Sequence, residues 1–104
     1  MNIIISAKNF ALTKAITSYV EGKLGHVTHY DNSVMQIRAE LDADKKERLE
    51  GKFRIEVWAK GRFTAKAGAQ GETMYSAVDA VLPKLVRQLE KKKLMQTTKT
   101  RKKR

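Results

Sequence analysis

The chain has 104 residues and a 41% hydrophobic content, enough for one domain with a modest core and too little for two. It contains no cysteine, which excludes disulfides, thiolate metal sites and a cysteine nucleophile and agrees with a reducing cytoplasm. The net charge of +11, from 22 Lys and Arg against 11 Asp and Glu, attracts polyanions such as nucleic acid or an anionic membrane surface.

The apolar run in MNIIISAKNF is too short for a signal peptide and has no basic residue ahead of it. Nothing approaches the length of a transmembrane helix. Ile3, Ile4 and Ile5 are β-branched and predict a first strand over residues 2–7. A loop over residues 8–12 follows, with Phe10 as its expected buried anchor. Thr13 is suited to cap a helix over residues 13–27. Leu12, Ala15, Ile16, Tyr19, Val20, Leu24 and Val27 recur there at helical spacing, and Gly22 and Gly25 weaken its end. Residues 26–32 form a polar, turn-rich connection.

Three strands come next. Over residues 33–42, Met35, Ile37, Ala39 and Leu41 alternate with Gln36, Arg38 and Glu40, the pattern of a sheet with one wet face. Residues 42–52, DADKKERLEGK, read as a solvated hairpin connection. Over residues 52–60, Phe53, Ile55, Val57 and Ala59 face inward, and Arg54, Glu56, Trp58 and Lys60 face outward. Gly61 marks a turn. Over residues 62–69, Phe63, Ala65, Ala67 and Ala69 face inward, small enough that a helix can pack closely on them.

The second helix lies in residues 71–93, GETMYSAVDAVLPKLVRQLEKKK, and starts near Thr73 with Glu72 where the helix dipole favours an anion. Met74, Ala77, Val78, Val81, Leu82, Leu85, Val86 and Leu89 draw one apolar stripe along it. Pro83 interrupts the backbone bonding but not the stripe, which predicts a kink and not an end. From residue 84 onward there are ten Lys and Arg and one acid, Glu90, whereas residues 1–83 hold twelve basic and ten acidic side chains. Lys84, Arg87 and Lys91 are three and four apart and share a helical face; Lys92 and Lys93 extend it, and Lys99 and residues 101–104 continue the charge. Such a row tracks phosphates and makes affinity depend on salt. The competing reading is an ordinary solvated face. The concentration of charge at one end favours binding.

The expected fold is α+β, a two-layer β-α-β-β-β-α sandwich. A right-handed crossover allows strands one and two to pair in parallel, strands two to four form an antiparallel meander, and both helices cover the same face of the four-stranded sheet. The domain is expected to span residues 1–93, with residues 94–104 as a disordered basic tail.

No catalytic arrangement emerges, and the chain reads as a non-enzyme without cofactor. It has no nucleophile elbow, phosphate-binding loop or H-E-x-x-H motif. Ser76 and Asp79 are three apart but have no histidine near them in sequence. Asp42 and Asp44 fall in the charged loop. His26, His29 and Asp31 lack a further histidine to complete a metal site, so no metal is assigned. Trp58, between Arg54 and Lys60 on the wet face of its strand, has two readings. It can stack on a base, or be a half-covered aromatic shielded by basic stems; the second is the more economical.

Gly71, Glu72, Met74, Tyr75, Asp79, Lys84, Arg87, Gln88 and Lys91 together resemble the closing helix of the ribosome hibernation-promoting factors and ribosome-associated inhibitor A proteins. That family is also described as sigma-factor modulation proteins. The opening strand and the Thr-initiated helix with its Tyr-Val are similar too, and the resemblance covers about residues 1–93. It implies binding to the small ribosomal subunit between head and body, with rRNA contacts where tRNA and mRNA would sit. Translation would be inhibited and idle ribosomes preserved, in the cytoplasm of a bacterium under stress or in stationary phase. Carried over residue by residue, Lys84, Arg87 and Lys91 are the first candidates for rRNA contact, with Lys92 and Lys93. Lys23, Arg62 and Lys66 are weaker candidates, and Tyr75 and Asp79 are structural. The chain resembles the short form of the family, which in some bacteria acts with a separate ribosome modulation factor, and it is expected to be a monomer off the ribosome. Pro83 and the tail TTKTRKKR depart from the family pattern. Two other readings stay open: a general module that reads double-stranded RNA by shape, and a protein-binding modulator of transcription.

Overall fold

The computed structural model describes residues 2–9, 11–29, 33–43 and 53–102, with side chains through Lys92. The elements are β1 (Asn2–Lys8), α1 (Lys14–Gly25), a 3-10 turn at His26–His29, β2 (Gln36–Ala43), β3 (Phe53–Lys60), β4 (Thr64–Gly71) and α2 (Met74–Lys102). The sheet has the order β1-β2-β3-β4. β1 runs parallel to β2, with Ile4 opposite Arg38, and β3 runs antiparallel to both β2 and β4, with Trp58 opposite both Arg38 and Lys66. This is the two-layer α+β arrangement read from the pattern.

Period-two alternation places Ile37, Ala39, Leu41, Ile55, Val57, Ala59, Ala65 and Ala67 in the core, under a helical layer that contributes Val20, Leu24, Met74, Ala77, Val78, Val81, Leu85 and Leu89. The three inward alanines of β4 are covered by α2. The apolar stripe of α1 is narrower than its sequence spacing suggests. Val20 and Leu24 are buried, Ile16 and Tyr19 are half-buried, and Leu12, which precedes the Thr13 cap, and Ala15, in the first turn, lie on the surface. One expected inward residue is displaced. Met35 is 75% exposed and Val34, with 3% exposure, fills the core instead. The regular strand starts only at Gln36, so the alternation does not extend back to Met35.

Local chemistry sets the ends of the elements. Thr13 caps α1, its hydroxyl accepting from the Ile16 N–H at 3.1 Å. Asn9 ends β1 with φ 68°, a left-handed conformation that Asn tolerates, and its amide donates to Asp42 at 2.8 Å. At the start of α2, Thr73 and Ser76 cap each other: the Ser76 N–H donates to the Thr73 hydroxyl at 3.1 Å and the Thr73 N–H to the Ser76 hydroxyl at 3.2 Å. A Cβ on Gly71 would overlap that Ser76 hydroxyl, and one on Gly61 would overlap the Ser33–Val34 backbone, so both turns require glycine.

α2 passes through Pro83 without ending, although Pro83 has no N–H to give the Asp79 carbonyl. The backbone of α2 continues as helix to Lys102. Leu94, Met95 and Gln96 are good helix formers and keep the preceding turn going. Phe10, Asp31, Lys52 and the loop over residues 44–52 lie outside the described residues. Among the described residues, no helix is long and apolar enough to cross a membrane.

Candidate nucleic-acid interface

β4 is an edge strand, and its outward N–H and C=O groups would otherwise face water. α2 lies along that edge and supplies their partners. Lys84 Nζ donates to the Gly68 carbonyl at 3.2 Å, Gln88 Oε1 accepts from the Lys66 N–H at 3.1 Å, and Lys92 Nζ donates to the Thr64 carbonyl. These three side chains stand four residues apart, one per turn, so one line of α2 follows the strand. A lysine ammonium has three N–H groups. With one on a carbonyl, Lys84 and Lys92 each keep two for an anion, and the strand holds the cations in place.

Arg87 and Lys91 are exposed on the adjoining line of the helix. Among the described residues, neither makes a hydrogen bond or an ion pair. The flank therefore presents Lys84, Arg87, Lys91 and Lys92 together along the β4 edge, two of them anchored and two free to reach. The side chain of Lys93 lies outside the described residues.

The weaker candidates are dispersed. Lys23, on α1, is 3.9 Å from Asp79 Oδ1 and sits over the Tyr19 ring at 5.5 Å, so an acid partly offsets its charge. Arg62 is exposed in the β3–β4 turn, where its N–H donates to the Ser33 hydroxyl at 3.0 Å. Lys66 points to the open side of the sheet, its ammonium 5.3 Å from the centre of the Trp58 ring.

Tyr75 and Asp79 belong to a joint between the helices. The Tyr19 hydroxyl donates to Asp79 Oδ1 at 2.5 Å, and the Tyr19 and Tyr75 rings meet edge to face at 4.9 Å. The hydrogen bond to the Asp79 carboxylate, followed by desolvation and by the charge of Asp79 itself, raises the Tyr19 pKa above the usual phenol value. Asp79 thus fastens α1 to α2 from the second turn of α2, a position away from the helix start. Ser76 is taken up by the N-terminal cap of α2. The His26 and His29 rings are 5.6 Å apart, and among the described residues no three potential ligands gather around a metal position.

The chain is thus a small two-layer domain with a cationic helix flank laid along a sheet edge. Residues 3–96 match the family described as Sigma 54 modulation protein / S30EA ribosomal protein, and the chain belongs to that family. It is 32% identical over 95 residues to a ribosome hibernation promotion factor of Picosynechococcus, covering 89% of this chain and 49% of that protein. It is 31% identical over 93 residues to a ribosome hibernation promoting factor of Pseudomonas putida, covering 89% of this chain and 87% of the relative. The chain therefore spans about half the length of some relatives and most of others. The fold matches that of a ribosomal subunit interface protein from Coxiella burnetii with a TM-score of 0.78 at 23% identity, over 90% of this chain and 99% of the other.

Proposed function

We propose that this protein is a ribosome hibernation factor. It binds small-subunit rRNA in the channel used by tRNA and mRNA, inhibits translation and preserves idle ribosomes in the cytoplasm. Membership of a family whose relatives carry that name supports the reading. The observation that carries it is the exposed row of Lys84, Arg87, Lys91 and Lys92 along the β4 edge. Four cations along roughly 12 Å of helix suit a run of phosphates more than a single anion. Lys93 continues the row in this reading, and Lys23, Arg62 and Lys66 contribute from neighbouring elements. The protein acts as a binder and not as an enzyme, as a monomer off the ribosome, and a separate modulation factor is a candidate partner on it.

The test is cosedimentation with ribosomes and isolated small subunits across a salt series, for the wild type and for Arg87→Glu/Lys91→Glu. This pair leaves the bonds to β4 intact. The variant is expected to lose small-subunit binding at moderate salt, and any residual binding should have a log–log salt slope shallower by about 1.5. A wild type that ignores ribosomes, or that binds arbitrary duplex RNA equally well, would overturn the assignment. Unchanged binding by the variant would move the contact to another face.

A further inference from the structure

The face of the sheet opposite the helices carries a second ordered arrangement of charge. The register sets its side chains in rows across the four strands. One row is Ile4, Arg38, Trp58 and Lys66, and the row beside it is Asn2, Gln36, Lys60 and Thr64. With Arg62 in the adjoining turn, this half of the face has four cations and no carboxylate. The other two rows contain Glu40, Glu56 and Asp42 against Lys8 and Arg54, and are close to balanced. The division is a property of the register and is invisible along any single strand.

Trp58 sits at the centre of the basic half. It points away from the core because its neighbours Val57 and Ala59 are fully buried, yet its own ring stays half-exposed. The Arg38 guanidinium lies 5.9 Å and the Lys66 ammonium 5.3 Å from the ring centre. These two cations come from the neighbouring strands β2 and β4. Arg38 is held by Glu40 at 3.3 Å, whereas Lys66 has a flexible stem and makes no ion pair among the described residues. On β4 the next outward position is Gly68, which places no side chain over that side of the ring. No described helix or strand covers this face.

We propose that the open sheet face binds a single-stranded RNA segment, with one unpaired base stacked on Trp58 and the adjoining phosphates held by Arg38, Lys60 and Lys66. The four cations set the sign of the partner. The aromatic ring selects an unpaired strand, because in a duplex the base faces are already stacked on one another. Stacking a base is worth more than an exposed cation–ring contact, so a base displaces the Lys66 ammonium from the ring and frees it for a phosphate. Ile4, 47% exposed at the far end of the row, offers an apolar surface for the flank of a second nucleotide. This contact is separate from the α2 flank and stands whether or not the chain binds ribosomes.

Trp58 is the only tryptophan in the chain, so its emission reports on this ring alone. The experiment titrates the full chain with a short labelled oligouridylate, whose bases stack little on one another, and follows label anisotropy and tryptophan emission together. Saturable quenching is expected, with the same midpoint as the anisotropy. Trp58→Ala should weaken binding roughly tenfold and Trp58→Phe should retain most of it, while melts confirm that both variants fold. Arg87→Glu/Lys91→Glu should still quench, which separates failure of this contact from failure of the ribosome reading. A duplex of equal length should leave the emission unchanged. Binding without quenching, equal binding by Trp58→Ala, or no binding at all would overturn the proposal.

Discussion

Lys84 and Arg87 look equivalent in the sequence and have different duties in the structure, and a pair of substitutions separates them. Lys84→Met keeps the hydrocarbon stem and removes the ammonium that reaches the Gly68 carbonyl at 3.2 Å. A hydrogen bond with a charged partner contributes about 1.5–3 kcal/mol in a shielded setting. This one is exposed, which brings the expected loss to about 0.5–1 kcal/mol. For a domain of about 100 residues that lowers the melting midpoint by about 3–6 °C. Arg87→Gln removes one charge from a side chain with no bond to lose among the described residues and should shift the midpoint by no more than about 2 °C. Each variant loses one cation, so the salt slope of ribosome binding should fall by about the same amount, close to one unit, in both. Circular-dichroism melts and cosedimentation are run on the same preparations. Equal melting of Lys84→Met and wild type would show that the bond to β4 has no energetic weight and that Lys84 is an ordinary solvated cation.

Three further outcomes follow from the packing. Leu85 is fully buried on the stripe of α2, and Leu85→Ala should destabilise by about 3 kcal/mol and lower the midpoint by more than about 10 °C. Thr73→Ala removes the hydroxyl that receives the Ser76 N–H and should cost about 1 kcal/mol in a denaturant titration, with an unchanged m-value. The raised pKa of Tyr19 means that the folded state favours the protonated phenol. Its contribution is complete below the unfolded value near 10 and is lost as pH rises through the folded value. Wild type should therefore lose more stability than Tyr19→Phe when melts are taken above about pH 10, and parallel losses would contradict the Asp79 bond.

What could be read in advance is what depends on one element at a time. The alternation Ile37–Ala39–Leu41 and Ile55–Val57–Ala59 and the stripe through Val78, Val81, Leu85 and Leu89 identify the core face of each element, because periodicity reports which side of an element is apolar. Where the regular strand begins is a different question, and Val34 takes the place expected for Met35 for that reason. The Tyr19–Asp79 bond joins residues sixty apart and has no local signature. The cationic face of α2 was legible, but not that Lys84 and Lys92 would meet a strand edge, since helical spacing gives a face and not its neighbour. Trp58 was visible as an outward aromatic, yet its partners Arg38 and Lys66 follow from the pairing register, which the linear order hides.

β4 links the two surfaces, and its small residues make this possible. Ala65 and Ala67 are buried against α2, with 1% and 6% exposure. Their size lets the helix come close enough for Lys84, Gln88 and Lys92 to reach the strand edge. Ala67→Leu inserts three carbons into that contact and should cost about 1–3 kcal/mol by overpacking. The more informative consequence is geometric: a helix lifted off β4 draws its side chains away from the edge carbonyls while its own charges remain. If pre-positioned cations matter, Ala67→Leu should weaken ribosome binding several-fold at a temperature where it is still folded, with an unchanged salt slope because no charge was removed. Lys66 stays on the outer face, so quenching of Trp58 by oligouridylate should persist. Wild-type ribosome binding by folded Ala67→Leu would mean that the charge count alone decides affinity and that the fit of α2 on β4 serves stability only.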